Sequence, residues 1–419
     1  MKGGGGMKHT VHIGRLTLRM DFGLVAILLL MGLTSCFALY NAFNLIRDGS
    51  GMSNLIKQIF WYAVGFAVMF IISSLNRKML MRIIHKAYTV LMICLLYLLA
   101  SSILFRLTGH SLPFSPWING AFSWFRLGGL GFQPSEFIKI VLIVMVSEML
   151  ARYWKTHTSP TIQDDMHLLL QIARIALPPL VLIFLQPDTG VCIIIAFTLL
   201  VLILCSGLRR EYIWLIVILA ASVIALFFYL YFFQRELMVT LFSSYRLQRI
   251  DAWLDPESHI LGSSNQLYTA LLSLGSAGLT GYGLQANIIA IPEAHTDFIF
   301  AAFGQCFGLL GTVFILLVCL LLDLYLCKIA YNMKKPADRY ITIGVIAMLL
   351  YQQIQNLGMI VGLVPITGVT LPLISYGGSS IVSYFIAFGL ILRASPNARK
   401  EYRIGRKNNL MAVRRMQKS

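Results

Sequence analysis

The sequence predicts an all-α fold: a polytopic integral membrane protein with about ten transmembrane helices and a large extracellular loop between helices 7 and 8. Three observations carry that expectation. Hydrophobic residues make up 58% of the 419 residues and charged ones only 12%, a balance that no water-soluble core requires. The mean hydropathy is +0.77, and at about 20 residues per crossing the chain has room for roughly ten to twelve spans. The apolar residues also come in continuous runs, which excludes the alternating pattern of a membrane β-barrel. A soluble enzyme on one anchor is excluded on the same grounds. The seven cysteines (Cys36, Cys94, Cys192, Cys205, Cys306, Cys319 and Cys327) all lie in or at the edge of apolar runs and form no CxxC pair. They read as buried soft hydrophobes, with neither a disulfide framework nor a zinc site.

The first run, residues 22–43, follows a polar, basic N-terminus, but it is longer than a signal-peptide core and nine further runs follow it. It is read as the first span. The others cover residues 56–74, 87–105, 135–151, 168–185, 189–207, 212–233, 297–326, 341–364 and 372–392. An even number of spans puts both termini on one side. The chain then divides into an N-terminal segment 1–21, a membrane domain 22–394 and a basic tail 395–419.

Lysine and arginine set the orientation, because short basic loops stay cytoplasmic. With the N-terminus inside, 25 of the 34 basic residues fall inside and seven outside (Arg47, Lys57, Arg106, Arg126, Arg235, Arg246 and Arg249). Both termini are therefore expected in the cytoplasm. The formal charge of +17 is accounted for by this asymmetry and by attraction to anionic lipid, with no nucleic-acid partner. Two outside loops are too long to be turns, about 106–134 and 234–296. Long loops in a compact fold usually carry function, so the chemistry is expected there. Leu-rich amphipathic stretches such as 265–274 suggest short helices lying at the membrane interface.

Six of the 17 acids fall in the second loop or at its end: Glu236, Asp251, Asp255, Glu257, Glu293 and Asp297, together with Arg246, Arg249, His259 and His295. Ionisable groups beside a membrane are costly, so the cluster is a candidate site, weighed evenly against a solvated loop held by ion pairs. Within Phe132-Gln-Pro-Ser-Glu136 and on to Lys139, Glu136 and Lys139 stand one helical turn apart, suiting an ion pair that is structural or part of a pathway. Asp188, in Gln186-Pro-Asp-Thr-Gly190, suits a helix cap. The glycine string Gly275-Ser-Ala-Gly-Leu-Thr-Gly-Tyr-Gly283 resembles a phosphate cradle, but glycines alone are weak evidence and are read as tight turns.

The strings NGAFSW (119–124), FQPSEFIK (132–139), QPDTG (186–190), PEAHTDFIF (292–300) and NLGMIVGLVPITGVTLPLISYGGSS (356–380) closely resemble the shape, elongation, division and sporulation (SEDS) family, which includes RodA, FtsW and SpoVE. The resemblance runs in order over residues 21–393. It implies a ten-helix peptidoglycan glycosyltransferase that polymerises lipid II at the outer face of the plasma membrane beside a class B penicillin-binding transpeptidase. Three positions depart from the family pattern. The second Asp of its Leu-Asp-Pro-x-x-Asp-Pro-x-Gly stretch, the one held to be catalytic, is His259 here; its usual Arg before Trp124 is Ser123; its usual aromatic before Gln266 is Asn265.

Polymerisation needs a base for the acceptor hydroxyl and a cationic environment for the departing pyrophosphate. His259 or Asp255 is the expected base, and Arg246 and Arg249 the expected pyrophosphate contacts. Trp124, Gln266, Glu293, His295, Asp297 and Asp188 are the remaining candidate substrate contacts. No protein-bound metal is expected, and a divalent cation travelling with the pyrophosphate is the one cofactor this chemistry leaves open. The second reading is a catalytically silent relative that serves as scaffold, regulator or carrier of the lipid-linked precursor.

Overall fold

A computed structural model of the chain describes residues 12–13, 16–17, 20–46, 49–118, 120–128, 130–157, 159–241, 244–259 and 265–396. Most of the N-terminal segment 1–21 and of the tail 395–419 lies outside the described residues. Thirteen α-helices occur among them: α1 (Phe22–Asn41), α2 (Gly51–Ser74), α3 (Arg77–Thr108), α4 (Pro134–Thr156), α5 (Ile162–Leu185), α6 (Thr189–Leu204), α7 (Arg210–Phe233), α8 (Arg235–Leu241), α9 (Ser244–Leu254), α10 (Asn265–Ser276), α11 (Ile299–Asn332), α12 (Pro336–Ile360) and α13 (Gly378–Ala394). Two short antiparallel pairs complete the regular structure, β1 (His12–Ile13) with β2 (Leu16–Thr17) and β3 (Phe125–Leu127) with β4 (Leu130–Phe132).

Each of the ten apolar runs overlaps one of the helices α1 to α7 or α11 to α13. By length and composition seven are able to cross a membrane: α1, α2, α3, α5, α7, α11 and α12. The other three fall short for visible reasons. Helices α6 and α13 have 16 and 17 residues, and α4 carries Glu136, Lys139, Glu148, Arg152 and Lys155. Yet α4 is well enclosed, with Ile138, Leu142, Val144, Val146 and Leu150 buried, and it packs on α3, α5, α6, α12 and α13. A helix buried in protein tolerates charges that a lipid-facing one does not.

Local sequence sets the helix ends. Proline opens α4 and α12, with an acid in each first turn, which suits the free N–H groups and positive end of a helix dipole. A Thr161–Asp164 capping box starts α5. Helix α11 is broken at Gly308, where φ is 59° and ψ is −150°. The turn of residues 277–283 fills the break. Leu309 and Leu310 donate their N–H groups to the carbonyls of Gly278 and Leu279 (3.0 and 3.1 Å), while those of Tyr282 and Gly283 donate to Gln305 and Cys306 (3.0 and 2.9 Å). A Cβ at Gly281 would stand 2.3 Å from the Cys306 carbonyl oxygen, at a φ of +74°. The glycine string is thus a set of tight turns docked into a helix break, as the sequence reading favoured.

Helix α10 forms where the amphipathic stretch was expected, and it packs against α11 and α12. Its apolar face, Leu267 and Ala270, is fully buried there. Helix α7 is the opposite case: its principal packing partner is α8, and Leu215, Leu219, Val223, Leu226 and Phe233 are exposed, as a lipid-facing helix requires. At one end of the bundle Arg77 pairs with Glu148 and with Asp338, and Arg393 meets Asp338 at 3.2 Å. Ser395 and Tyr325 donate hydroxyls to Asp21 at the same end. The other end opens into a cleft.

Candidate active site

The cleft owes its shape to backbone that leaves the helical form inside the bundle. Residues 361–377, between α12 and α13, are non-helical, and carbonyls at that depth need donors from the protein. Three helices supply them. Gln355 of α12 donates to the Pro365 carbonyl (3.0 Å) and Asn356 to those of Val369 (2.8 Å) and Asp297 (2.7 Å). Ser35 of α1 donates to Ile374 (2.7 Å), Gln58 of α2 to Ser375 (3.0 Å), and the Tyr62 hydroxyl to Leu373. Ser375 in turn donates to the Thr296 carbonyl (2.6 Å). The turn before α11, carrying Glu293, His295 and Asp297, is therefore locked to the same segment.

Helix α9 is held on two faces, as its 3.6-residue period dictates. Leu247 and Asp251 face α7 and α8, where Arg235 grips Asp251 with two hydrogen bonds (2.8 and 2.6 Å). Asp251, one of the six clustered acids, is accounted for by this ion pair. On the other face the Trp253 indole donates to the Gly362 carbonyl (2.9 Å). That contact aims Arg249, one turn earlier, at the cleft, with its Nη1 3.5 Å from the Ile366 carbonyl.

The opposite wall is built by α4 and α6. Asp188 caps α6 by accepting from the Val191 N–H (3.3 Å), and also takes hydrogen bonds from the Gln133 amide (2.9 Å) and Ser135 hydroxyl (3.1 Å). It is a helix cap and a cleft residue at once. Burial pushes its carboxyl above the usual carboxylate range against those hydrogen bonds, and nearby Glu136 pushes the same way. Glu136 pairs with Lys139 at 2.8 Å, the lysine being 1% exposed and its Nζ lying 5.0 Å from the Tyr384 ring centre.

Between these walls lies a cleft of about 1020 Å³. Of the residues singled out in the sequence it brings together Trp124, Glu136, Asp188, Arg249, Gln266, Glu293, His295 and Asp297. Lys139 lies directly behind Glu136. Asp255 is absent from the described lining; it is exposed, and its carboxylate accepts the Ser258 N–H (3.3 Å) and hydroxyl, fastening the short turn Glu257–His259. The His259 and Arg246 side chains lie outside the described residues. Ser123 is buried and donates to the Gln186 carbonyl (3.2 Å), while Asn265 begins α10.

Sequence reasoning passed over Lys57 of α2 and Arg126 of β3, which also line the cleft. Their signal was present: few basic residues survive on the outside of such a chain, so each one left there is a candidate. Gln352 of α12 and Thr367 line the cleft as well, and the Gln352 Oε1 and the Thr367 hydroxyl are buried with no hydrogen-bond partner among the described residues. Such atoms are costly unless a ligand or water meets them.

Chemically the cleft offers three cations (Lys57, Arg126 and Arg249), four acids (Glu136, Asp188, Glu293 and Asp297) and an amide-rich floor. The Asp297 carboxyl is pushed up to about 6 by burial and by Glu293, against the opposing pull of Arg249. Guanidinium groups suit phosphate oxygens, and a carboxyl that titrates near neutrality suits proton transfer. Among the described residues no three His, Cys, Asp or Glu are grouped to hold a metal ion.

Residues 18–400 match the FtsW, RodA and SpoVE family of cell cycle proteins. The chain is 30% identical over 345 residues to the probable peptidoglycan glycosyltransferase FtsW of Coxiella burnetii, covering 81% of this chain and 85% of that one. It is 29% identical over 379 residues to the peptidoglycan glycosyltransferase MrdB of Escherichia coli K12, covering 89% and 92%. Among solved structures it resembles a chain from a peptidoglycan synthase complex described as coordinating polymerisation and crosslinking (25% identity, TM-score 0.68, covering 91% of this chain and 98% of that one). It also resembles the rod shape determining protein RodA of Thermus thermophilus (25% identity, TM-score 0.61, covering 91% and 97%). The extent of the family match, together with the cleft motifs in their order, shows that this chain belongs to the FtsW, RodA and SpoVE family of cell cycle proteins.

Proposed function

We propose that the protein is a peptidoglycan glycosyltransferase that polymerises lipid II into glycan strands at the outer face of the bacterial plasma membrane. The observation that carries this reading is the cleft itself. It is open to water, carries cations for a pyrophosphate, and is sunk into a helix bundle whose lipid-facing surface can keep an undecaprenyl chain in the membrane. The basic asymmetry of the loops turns the cleft end outward and leaves both termini and the tail 395–419 in the cytoplasm. Arg249, with Lys57 and Arg126, is assigned to the pyrophosphate, and Trp124, Gln266 and His295 to the sugars. A class B penicillin-binding transpeptidase is the proposed partner, since a polymerase and a crosslinker act on the same nascent strand. The test is glycan synthesis from purified lipid II by the protein with that partner in detergent or nanodiscs. Polymer that disappears in Arg249→Ala supports the assignment. The second reading, a silent relative that binds the precursor or the transpeptidase, is favoured by His259 at the family's catalytic Asp position. It predicts lipid II binding with no polymer.

A further inference from the structure

The geometry points to Asp297 as the general base of this chain, a catalytic residue that takes the proton of the acceptor sugar hydroxyl. The inference rests on the glycosyltransferase reading and adds the one group that reading leaves unassigned.

A base needs a lone pair open to the substrate, and the four cleft acids differ in this respect. Glu136 is taken up by Lys139 at 2.8 Å. Asp188 spends both carboxylate oxygens on Val191, Gln133 and Ser135. Glu293 accepts the Thr296 hydroxyl at 2.7 Å. The Asp297 carboxylate accepts no hydrogen bond among the described residues, while its backbone is fixed: its carbonyl is held by Asn356 at 2.7 Å, and the N–H of the next residue, Phe298, donates to the Glu293 carbonyl at 3.2 Å. The base is thus held by its backbone and has free oxygens. Gly368 leaves space in front of it. A Cβ there would lie 3.4 Å from Asp297 Oδ2 and 3.6 Å from Arg249 Nη1, at a φ of +74° that favours glycine. Carboxylate and guanidinium therefore flank one gap, with opposite tasks for one substrate pair.

The step balances without a co-reactant. The acceptor hydroxyl gives its proton to an Asp297 oxygen as its own oxygen bonds the donor's anomeric carbon. The bond from that carbon to the lipid pyrophosphate breaks, and its electron pair leaves with the pyrophosphate, whose added charge Arg249 neutralises. The charged groups facing Asp297 are Arg249 of α9 and Glu293 of its own turn; His295, Glu136, Asp188, Lys57 and Arg126 line the same cleft. A carboxyl raised to about 6 is mostly ionised at pH 7.5 and is protonated as the pH falls, so the rate should drop below about pH 6.

The experiment measures lipid II polymerisation by the full chain with its transpeptidase partner, alongside lipid II binding and the gel-filtration profile. Asp297→Asn is expected to lose at least 100-fold in kcat while binding lipid II within about threefold of wild type, and Asp297→Glu to recover part of the rate. Because the folded-state pKa lies above the unfolded one, the ionised form is disfavoured by folding, and Asp297→Asn should be no less stable than wild type at pH 7. His295→Gln should leave the acid limb of the pH profile in place, since that limb belongs to the carboxyl. An Asp297→Asn protein that polymerises within tenfold of wild type overturns the assignment. So does a polymerising wild type that His259→Ala or Asp255→Asn silences while Asp297→Asn does not. A wild type that binds lipid II and yields no polymer at any pH overturns the glycosyltransferase reading itself, and the base falls with it.

Discussion

The Glu136–Lys139 pair allows a prediction whose size follows from where its two members lie. The lysine side chain is 1% exposed and the glutamate 9%, with their charged atoms 2.8 Å apart, and only the glutamate borders the cleft. Removing the glutamate leaves an ammonium buried behind the cleft wall, against the Tyr384 ring 5.0 Å away. Breaking a buried pair in this way costs about 3 to 5 kcal/mol. Removing the lysine leaves a carboxylate that cleft water can reach, and the cost should be nearer that of one under-satisfied polar group, about 1 to 3 kcal/mol. Glu136→Ala should thus be the more damaging of two changes that delete the same contact.

The measurement is a double-mutant cycle of Glu136→Gln, Lys139→Met and the double variant, read by unfolding in mixed micelles and by the amount of folded protein recovered from membranes. The double variant should recover about 0.5 to 3 kcal/mol relative to the sum of the single changes, the range found for residues in direct contact. A Glu136→Ala protein that accumulates to wild-type level, unfolds like wild type and makes no polymer would refute this reasoning, because the glutamate would then serve the substrate and not the fold.

Three further outcomes are expected. A cysteine at position 77 should be labelled only after the membrane is opened, and one at position 57 in intact cells, by a membrane-impermeant maleimide; reversed labelling would move the cleft to the cytoplasm. Asn356→Leu strips the donor from two backbone carbonyls, Asp297 and Val369, at about 1 to 3 kcal/mol each, so folded yield should fall sharply, whereas Asn356→Asp should fall less if its carboxyl is protonated. Gly281→Ala places a Cβ 2.3 Å from the Cys306 carbonyl oxygen in a left-handed conformation that alone costs about 1 to 2 kcal/mol; an unchanged thermal midpoint would show that the turn is not seated in the α11 break.

The helices were legible because their signal is local: an apolar run long enough to span is seen without knowing its neighbours. The break in the last third of the chain was not. The sequence suggested spans over 341–364 and 372–392, but the helices end at Ile360 and resume at Gly378. What stabilises the non-helical stretch between them is a set of donors, Ser35, Gln58 and Tyr62, more than 300 positions away. No window on the sequence contains both halves of those bonds. The candidate site divides in the same way. Arg249, Glu293, His295 and Asp297 were found because they cluster along the chain. Lys57 and Arg126 were passed over because they reach the cleft from α2 and β3. Asp251 shows the converse, a clustered acid whose partner is Arg235 and whose role is to hold α9.

The arrangement of the cleft also follows from how a bundle with alternating helices must end. Helices α2, α4, α6 and α13 all present their N-termini there, through Ser50, Gln133, Asp188 and Gly377. Their dipoles would make this end attract anions with no side chain's help. On the α4 and α6 side that attraction is answered within the protein: Asp188 caps one helix and is bonded to the start of the other, and Glu136 sits in the first turn of α4 with Lys139 behind it. The capped wall holds little net attraction for a phosphate. The cations that line the cleft are Lys57, Arg126 and Arg249, and a pyrophosphate drawn to Arg249 would lie where Asp297 and Gly368 stand next to the guanidinium.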